Sequence, residues 1–334
     1  MMPCRTLRFL IALPFWLAAA LTPYGARQLS AQVVEAEIGD VQIGIANCYK
    51  VGHWTPVRVE IAGGERLDDR RVEVIVEDSD GVPTRAAAPV GSPGTVSASR
   101  SAVVYTKVGR VGAPIRIRLL EGQTLVDERL IENPLNQAVT ETVALPATGE
   151  MVVALSSAAF GLSDALPDRG DVDNPLRRRT VQFTDIAELP TDWFGYDAVD
   201  VLVIAAGDGM LVSELAADEV RYSALVRWVE LGGKLVILCG GDSAEKLISP
   251  DGPLVVLVPG RLTEIVRLTE TGPLEHFAGP SGPIPMTNRN AALKIPRLEN
   301  VDGRIAAYAG RRPEDLPIVV RSAGGSDSGI VGLA

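Results

Sequence analysis

The hydrophobic pattern changes period near residue 150, and that change calls for two kinds of structure in one chain. Upstream, Val72, Val74 and Val76 alternate with Glu73, Ile75 and Glu77 before the turn signal Asp80-Gly81. Ile115, Ile117 and Leu119 alternate in the same way with Arg116, Arg118 and Leu120 before Glu121-Gly122. A period of two with turn residues between the runs is the mark of half-buried antiparallel strands. Six such runs fall between Val33 and Pro146, among them TPVRVEIAG and SASRSAVVYTKV. They predict an all-β, immunoglobulin-like sandwich over residues 33–146, without the Cys, Trp, Cys framework of an antibody domain.

Downstream, MVVALSS (Met151 to Ser157), TVQFTDI (Thr180 to Ile186) and AVDVLVIAA (Ala198 to Ala206) read as strands. The unbroken apolar run from Val201 to Ala206 suits a parallel strand covered on both faces. Leu215, Tyr222, Leu225, Val226 and Val229 recur at helical spacing, which predicts one helix from Ser213, as its cap, to Leu231, stopped by Gly232-Gly233. Lys234 to Cys239 follows as a strand. Strands alternating with a helix predict a doubly wound α/β domain of flavodoxin-like type over residues 150–334. Residues 272–300, rich in Pro, Gly and Asn, read as a surface excursion, and PIVVRSAGG and GIVGLA as closing strands. The chain ends on the second without a polar tail, which reads as a chain continuing beyond Ala334 into membrane helices.

The first 31 residues carry Arg5 and Arg8 ahead of an apolar run from about Phe9 to Leu21, with Leu29, Ser30 and Ala31 as a cleavage site. This is the form of a secretory signal, with an uncleaved membrane anchor as the alternative; either places the remainder outside the cytoplasm, in the periplasm or cell envelope. Loss of that segment removes three arginines and no acid, taking the net charge from −10 to −13. Such a balance excludes a general nucleic-acid binder, which needs a basic face. Partners are expected instead among envelope proteins or polysaccharides. Membrane association would lie in the amino-terminal segment or in a continuation past the carboxyl end. The basic run Arg177 to Arg179 reads as a solvated loop.

Site chemistry is sparse. Only two histidines, His53 and His276, are present, with no Cys/His spacing of a zinc site and no cofactor motif, so no metal and no cofactor is expected. Asp171, Asp173 and Asn174 begin like a calcium loop, but Pro175 and Gln182 break it. Cys48 and Cys239 lie in the two predicted domains, so a disulfide between them is not favoured. Around Cys48, the run to Pro56 contains His53 and Trp54; Trp54 reads as a core plug rather than half of a surface grip.

Tyr196-Asp197, Asp200 to Ile204, Trp228-Val229 and Gly232-Gly233 together resemble the class I glutamine amidotransferase-like domain of bacterial exported and membrane envelope proteins. The likeness spans residues 150–334 and is concentrated in 192–242. It implies a signal sequence, a β domain and this α/β domain in order. Active members place a nucleophilic Cys in a Gly-x-Cys-x-Gly turn with a His-Pro-Glu sequence downstream. Cys239 and Gly241 match that turn, Ile237 stands where its first glycine belongs, and the only downstream histidine is His276, between Glu275 and Phe277. A thiol with its ordinary pKa of about 8.5 and no base stays protonated at neutral pH. Cys239 therefore reads as a plug, and the chain as a non-catalytic envelope protein used for interaction or assembly. Two alternatives stand beside it: a hydrolase or amidotransferase in which Cys239 attacks and His276 is the base, and a carbohydrate or small-ligand module. That module would use the strand-end loops of Gly207, Asp208, Gly240, Gly241 and Asp242.

Overall fold

The computed structural model describes residues 35–64, 69–91, 100–136, 142–158, 160–170, 177–207, 209–240, 243–279, 284, 292–323 and 330–332. The signal segment, the loop of Asp171, Asp173 and Asn174, and Asp208, Gly241 and Asp242 lie outside them. Among the described residues no helix is long and apolar enough to cross a membrane. The structure is rich in β-strands, in several sheets, with few helices.

The first half contains β1 (Glu37–Ile43), β2 (Cys48–Lys50), β3 (Trp54–Ala62), β4 (Arg70–Glu77), β5 (Pro83–Pro89), β6 (Ser101–Lys107), β7 (Ile115–Glu121), β8 (Thr124–Ile131) and β9 (Val143–Leu145). Antiparallel sheets β1-β3-β6 and β5-β4-β7-β8 share a core of Val57, Val59, Val72, Val74, Ile115 and Ile117. Alternation puts every second residue of β3, β4 and β7 into that core, as period-two runs require. Where β1 faces β8, Asp127 accepts from the Ile38 amide at 2.7 Å and the Arg129 guanidinium donates to the Ile38 and Gly39 carbonyls at 2.6 Å. Those side chains satisfy backbone groups that a sheet edge would otherwise leave open.

The second half contains β10 (Glu150–Leu155), α1 (Leu162–Ala165), β11 (Arg178–Phe183), β12 (Val201–Ala205), α2 (Met210–Ala217), α3 (Glu219–Glu230), β13 (Leu235–Leu238), α4 (Ala244–Ile248), β14 (Arg261–Leu268), α5 (Gly272–Ala278), β15 (Leu293–Glu299), β16 (Arg304–Tyr308), β17 (Pro317–Arg321) and β18 (Ile330–Gly332). Its centre is a parallel sheet in the order β11-β10-β12-β13. One face sends Met151, Val153, Leu202, Ile204 and Ile237 into the main core beneath α2 and α3. The other face, with Val152, Ala154 and Val203, is covered by a small cluster around Phe160, Leu162 and Leu166.

Several sequence expectations need correction here. A doubly wound sheet has full helices on both faces, yet among the described residues only the β12 to β13 crossover carries them; β11 runs to β12 through two short 3-10 turns. The predicted helix from Ser213 is two helices broken at Asp218, whose carboxylate accepts from the Arg221 amide and caps α3. Ser213 lies inside α2, and the cap position belongs to Gly209 at φ 70°. The excursion over 272–300 contains α5 and β15, and β15 pairs with a strand that the sequence did not announce, β14. The basic run starts β11, with Arg178 paired to Glu150, Arg179 to Asp168, and Arg177 donating to the Ala144 carbonyl.

Residues 34–334 form one compact unit, and the short parallel pair β2-β9 shows how the two halves join. Successive strand residues face opposite ways. Tyr49 and Ala144 therefore enter the first core, while Cys48, Val143 and Leu145 enter the second. Lys50, its side chain only 5 % exposed, places its ammonium 2.8 and 3.0 Å from the two oxygens of Asp200 at the foot of β12. The Met151 amide donates to the same carboxylate at 2.7 Å. A buried ammonium needs such a partner to offset its desolvation.

Candidate functional site

Cys239 follows β13 and has no exposed surface; its thiol is packed into the main core. Burial pushes its pKa up to about 11, so the thiolate that a nucleophile requires is suppressed at neutral pH. Cys48 is equally enclosed and is pushed up to about 12 by burial, with Arg179 and Arg177 acting in the opposite sense. Both thiols are free. They share one core rather than lying apart in separate domains.

His276 is exposed on α5, which packs against β16. Its neighbour Glu275 is turned to other work: its carboxylate accepts from the Thr271 hydroxyl at 2.7 Å and the Ile284 amide at 2.8 Å, and these bonds hold its pKa below the usual range. The elements that would form a nucleophile, base and orienting acid are thus committed to a core, a surface and a loop clip. Gly207 and Gly240 do stand at the carboxyl ends of β12 and β13. The Ser243 hydroxyl is shared there between the Ala206 and Gly207 carbonyls, at 2.7 and 2.8 Å, and ties the two loops together. Among the described residues no group of three or more His, Cys, Asp or Glu is placed to hold a metal ion.

The more open chemistry lies at the other end of the parallel sheet, on a turn that sequence reasoning used only for its resemblance. The 3-10 turn Trp193–Tyr196 precedes β12. Phe194 meets Trp54 at 5.4 Å, Tyr105 at 5.0 Å and Trp193 at 5.7 Å between ring centroids. Trp54 is half-buried in this cluster with the Lys107 ammonium 5.0 Å from its ring centre, a cation–π pair, so it is not the core plug expected. Its amide donates to Asp197 at 3.1 Å. The Tyr105 hydroxyl accepts from the Thr191 amide at 3.1 Å, and burial raises its pKa. Beside these contacts Arg58 donates to the Ala187 carbonyl at 2.7 Å. Arg221, almost wholly buried, donates to the carbonyls of Ala187 and Leu189.

Two depressions flank this aromatic ridge. One, of about 670 Å³, runs between β5, β6 and the turn, with Ala87, Pro89, Val103 and Val220 along its wall. The other, of about 310 Å³, joins Trp193 and Trp228 to Asp197, Asp200 and Lys234. Both volumes fall within the ~300–1,000 Å³ typical of small-ligand sites. The sequence signal for this face was the paired aromatic Trp193-Phe194 between Asp192 and Asp197, but whether such a pair is core or surface depends on packing.

No family model matches the chain, and no curated protein matches it. Among solved structures, the sensor domain of the anti-sigma factor RsgI4 of Pseudobacteroides cellulosolvens is similar at 10 % identity, with a TM-score of 0.19, over 35 % of this chain and 100 % of that one. A likeness of that size carries no argument about fold or function.

Proposed function

We propose that this chain is a non-catalytic exported cell-envelope protein whose immunoglobulin-like β half and amidotransferase-like second half act together as one interaction or assembly module. The observation that carries this reading is the complete burial of Cys239 in the core. The parallel order β11-β10-β12-β13 supports descent from an amidotransferase-like sheet, with helices retained in one crossover and the nucleophile's position taken over by packing. Export through the segment 1–31 and residence in the periplasm or envelope belong to the same proposal. The partners would be envelope proteins or polysaccharide.

The test is alkylation of the full chain with an iodoacetamide probe from pH 5 to 9, with Cys239→Ser and His276→Ala alongside. The module reading expects Cys239 to stay unlabelled until denaturant is added. Rapid labelling with an apparent pKa well below 8, altered in His276→Ala, would establish the hydrolase alternative in its place.

A further inference from the structure

The depression beside Trp193 has a chemistry of its own. Trp193 is 46 % exposed, and its indole stands edge-on to Phe194 at 5.7 Å and 86°, so a large part of an aromatic side chain is open to solvent beside the depression. An exposed indole offers a stacking surface, and a ring with only two side-chain torsions is ordered at little entropic cost to a ligand. Around it stand the carboxylates of Asp197 and Asp200, which accept hydrogen bonds, and the exposed ammonium of Lys234, which donates them.

The charges nearly cancel. Lys50 lies 2.8 Å behind Asp200, and Lys234 shares the opening with Asp197. Two acids and two bases balance, so these four groups give the opening no net charge with which to select an anion or a cation. The backbone is equally committed: the amides of Asp197, Val199 and Asp200 donate to Phe194, Tyr196 and Met151, and those of Gly232 and Gly233 to Val229 and Trp228. An extended peptide would find none of these donors free for pairing. What remains is an exposed aromatic side chain with carboxylate acceptors and the Lys234 ammonium donor around it. A pyranose ring, apolar on its C–H face and carrying hydroxyls around its rim, is the ligand class with the complementary arrangement.

We propose that this depression binds one neutral hexose unit of a polysaccharide, stacked on Trp193 with its hydroxyls bonded to Asp197 and Lys234. The inference rests on the non-catalytic interaction-module reading, with polysaccharide among its partners, and gives that module a ligand class. It places the site at the amino ends of β12 and β13, away from the Gly207 and Gly240 loops.

The test titrates the full chain with cellohexaose, maltohexaose and mannohexaose by calorimetry and tryptophan fluorescence. It includes Trp193→Ala, Asp197→Asn and Lys234→Met, with melting curves for each. Asn at 197 keeps an oxygen for the Trp54 amide, so Asp197→Asn remains informative if Trp193→Ala folds poorly. The expected result is saturable binding of at least one oligomer, indifferent to salt and weakened about ten-fold or more in Trp193→Ala and Asp197→Asn at unchanged melting temperature. Absence of saturation with all three, or binding untouched by both substitutions, would overturn the proposal. So would a basic hexapeptide that saturates where the sugars do not. Failure of sugar binding with Cys239 still unlabelled defeats the ligand assignment alone, whereas an acidic, reactive Cys239 defeats the module reading itself.

Discussion

The Lys50–Asp200 pair joins residues 150 positions apart, and its two ends have different environments: the lysine side chain is 5 % exposed and the aspartate 35 %. The asymmetry makes a directional prediction. Asp200→Asn leaves a buried ammonium without its counter-charge and weakens the Met151 amide bond. It should cost about 2 kcal/mol, less than the ~3–5 kcal/mol of a fully enclosed pair because water reaches Asp200. Lys50→Met fills the same channel with an apolar chain and leaves a carboxylate that solvent can hydrate, so its cost should be smaller. Urea unfolding of both variants checks the order, and a reversed order would mean that the lysine, not the aspartate, is the hydrated partner. At this scale the sequence was partly legible. Cys239 could be read as a plug because nothing near it in sequence lowers a thiol pKa. Lys50 gave no sign, since the partner that makes its burial tolerable arrives from the other half.

Strands with one buried face were legible, because a period of two survives in the residues themselves. β4 and β7 show it, while β12, covered on both faces, was legible from its continuous apolar run instead. β14 was missed for the converse reason: it is half-exposed on both sides, so Arg261, Thr263 and Glu264 interrupt any alternation. β2 and β9 have three residues each, too few to display a period, although they join the two cores. The break between α2 and α3 was invisible because the apolar spacing continues across Asp218, while a capping carboxylate decides where the second helix begins. The end of α3 was legible at Gly232-Gly233, and packing adds a reason: a Cβ at Gly233 would stand only 2.2 Å from the Trp228 ring, which itself stacks on Tyr196 at 5.3 Å. Gly233→Ala should therefore cost about 1–3 kcal/mol by overpacking, with an altered Trp228 emission. A loss below about 0.5 kcal/mol in denaturant unfolding would show that the ring is free to withdraw.

Taken whole, the molecule has a β half and a parallel-sheet half, and the first sends side chains into the interior of the second. Ile45, Cys48, Val143 and Leu145 from the first half lie in the core of the second, and the aromatic cluster and the Arg58 and Arg221 bonds extend the contact across its surface. Change of period near residue 150 was legible as a change of architecture. Fusion of the two cores was not, because it depends on a ribbon of six residues, three of them after a long chain excursion. In this compact unit Cys239 belongs to the core that both halves line. Differential scanning calorimetry of the full chain tests this most directly. A single transition whose calorimetric and van't Hoff enthalpies agree, moved as one by Asp200→Asn, is what the account predicts. Two separable transitions, with only one shifted by that substitution, would contradict it.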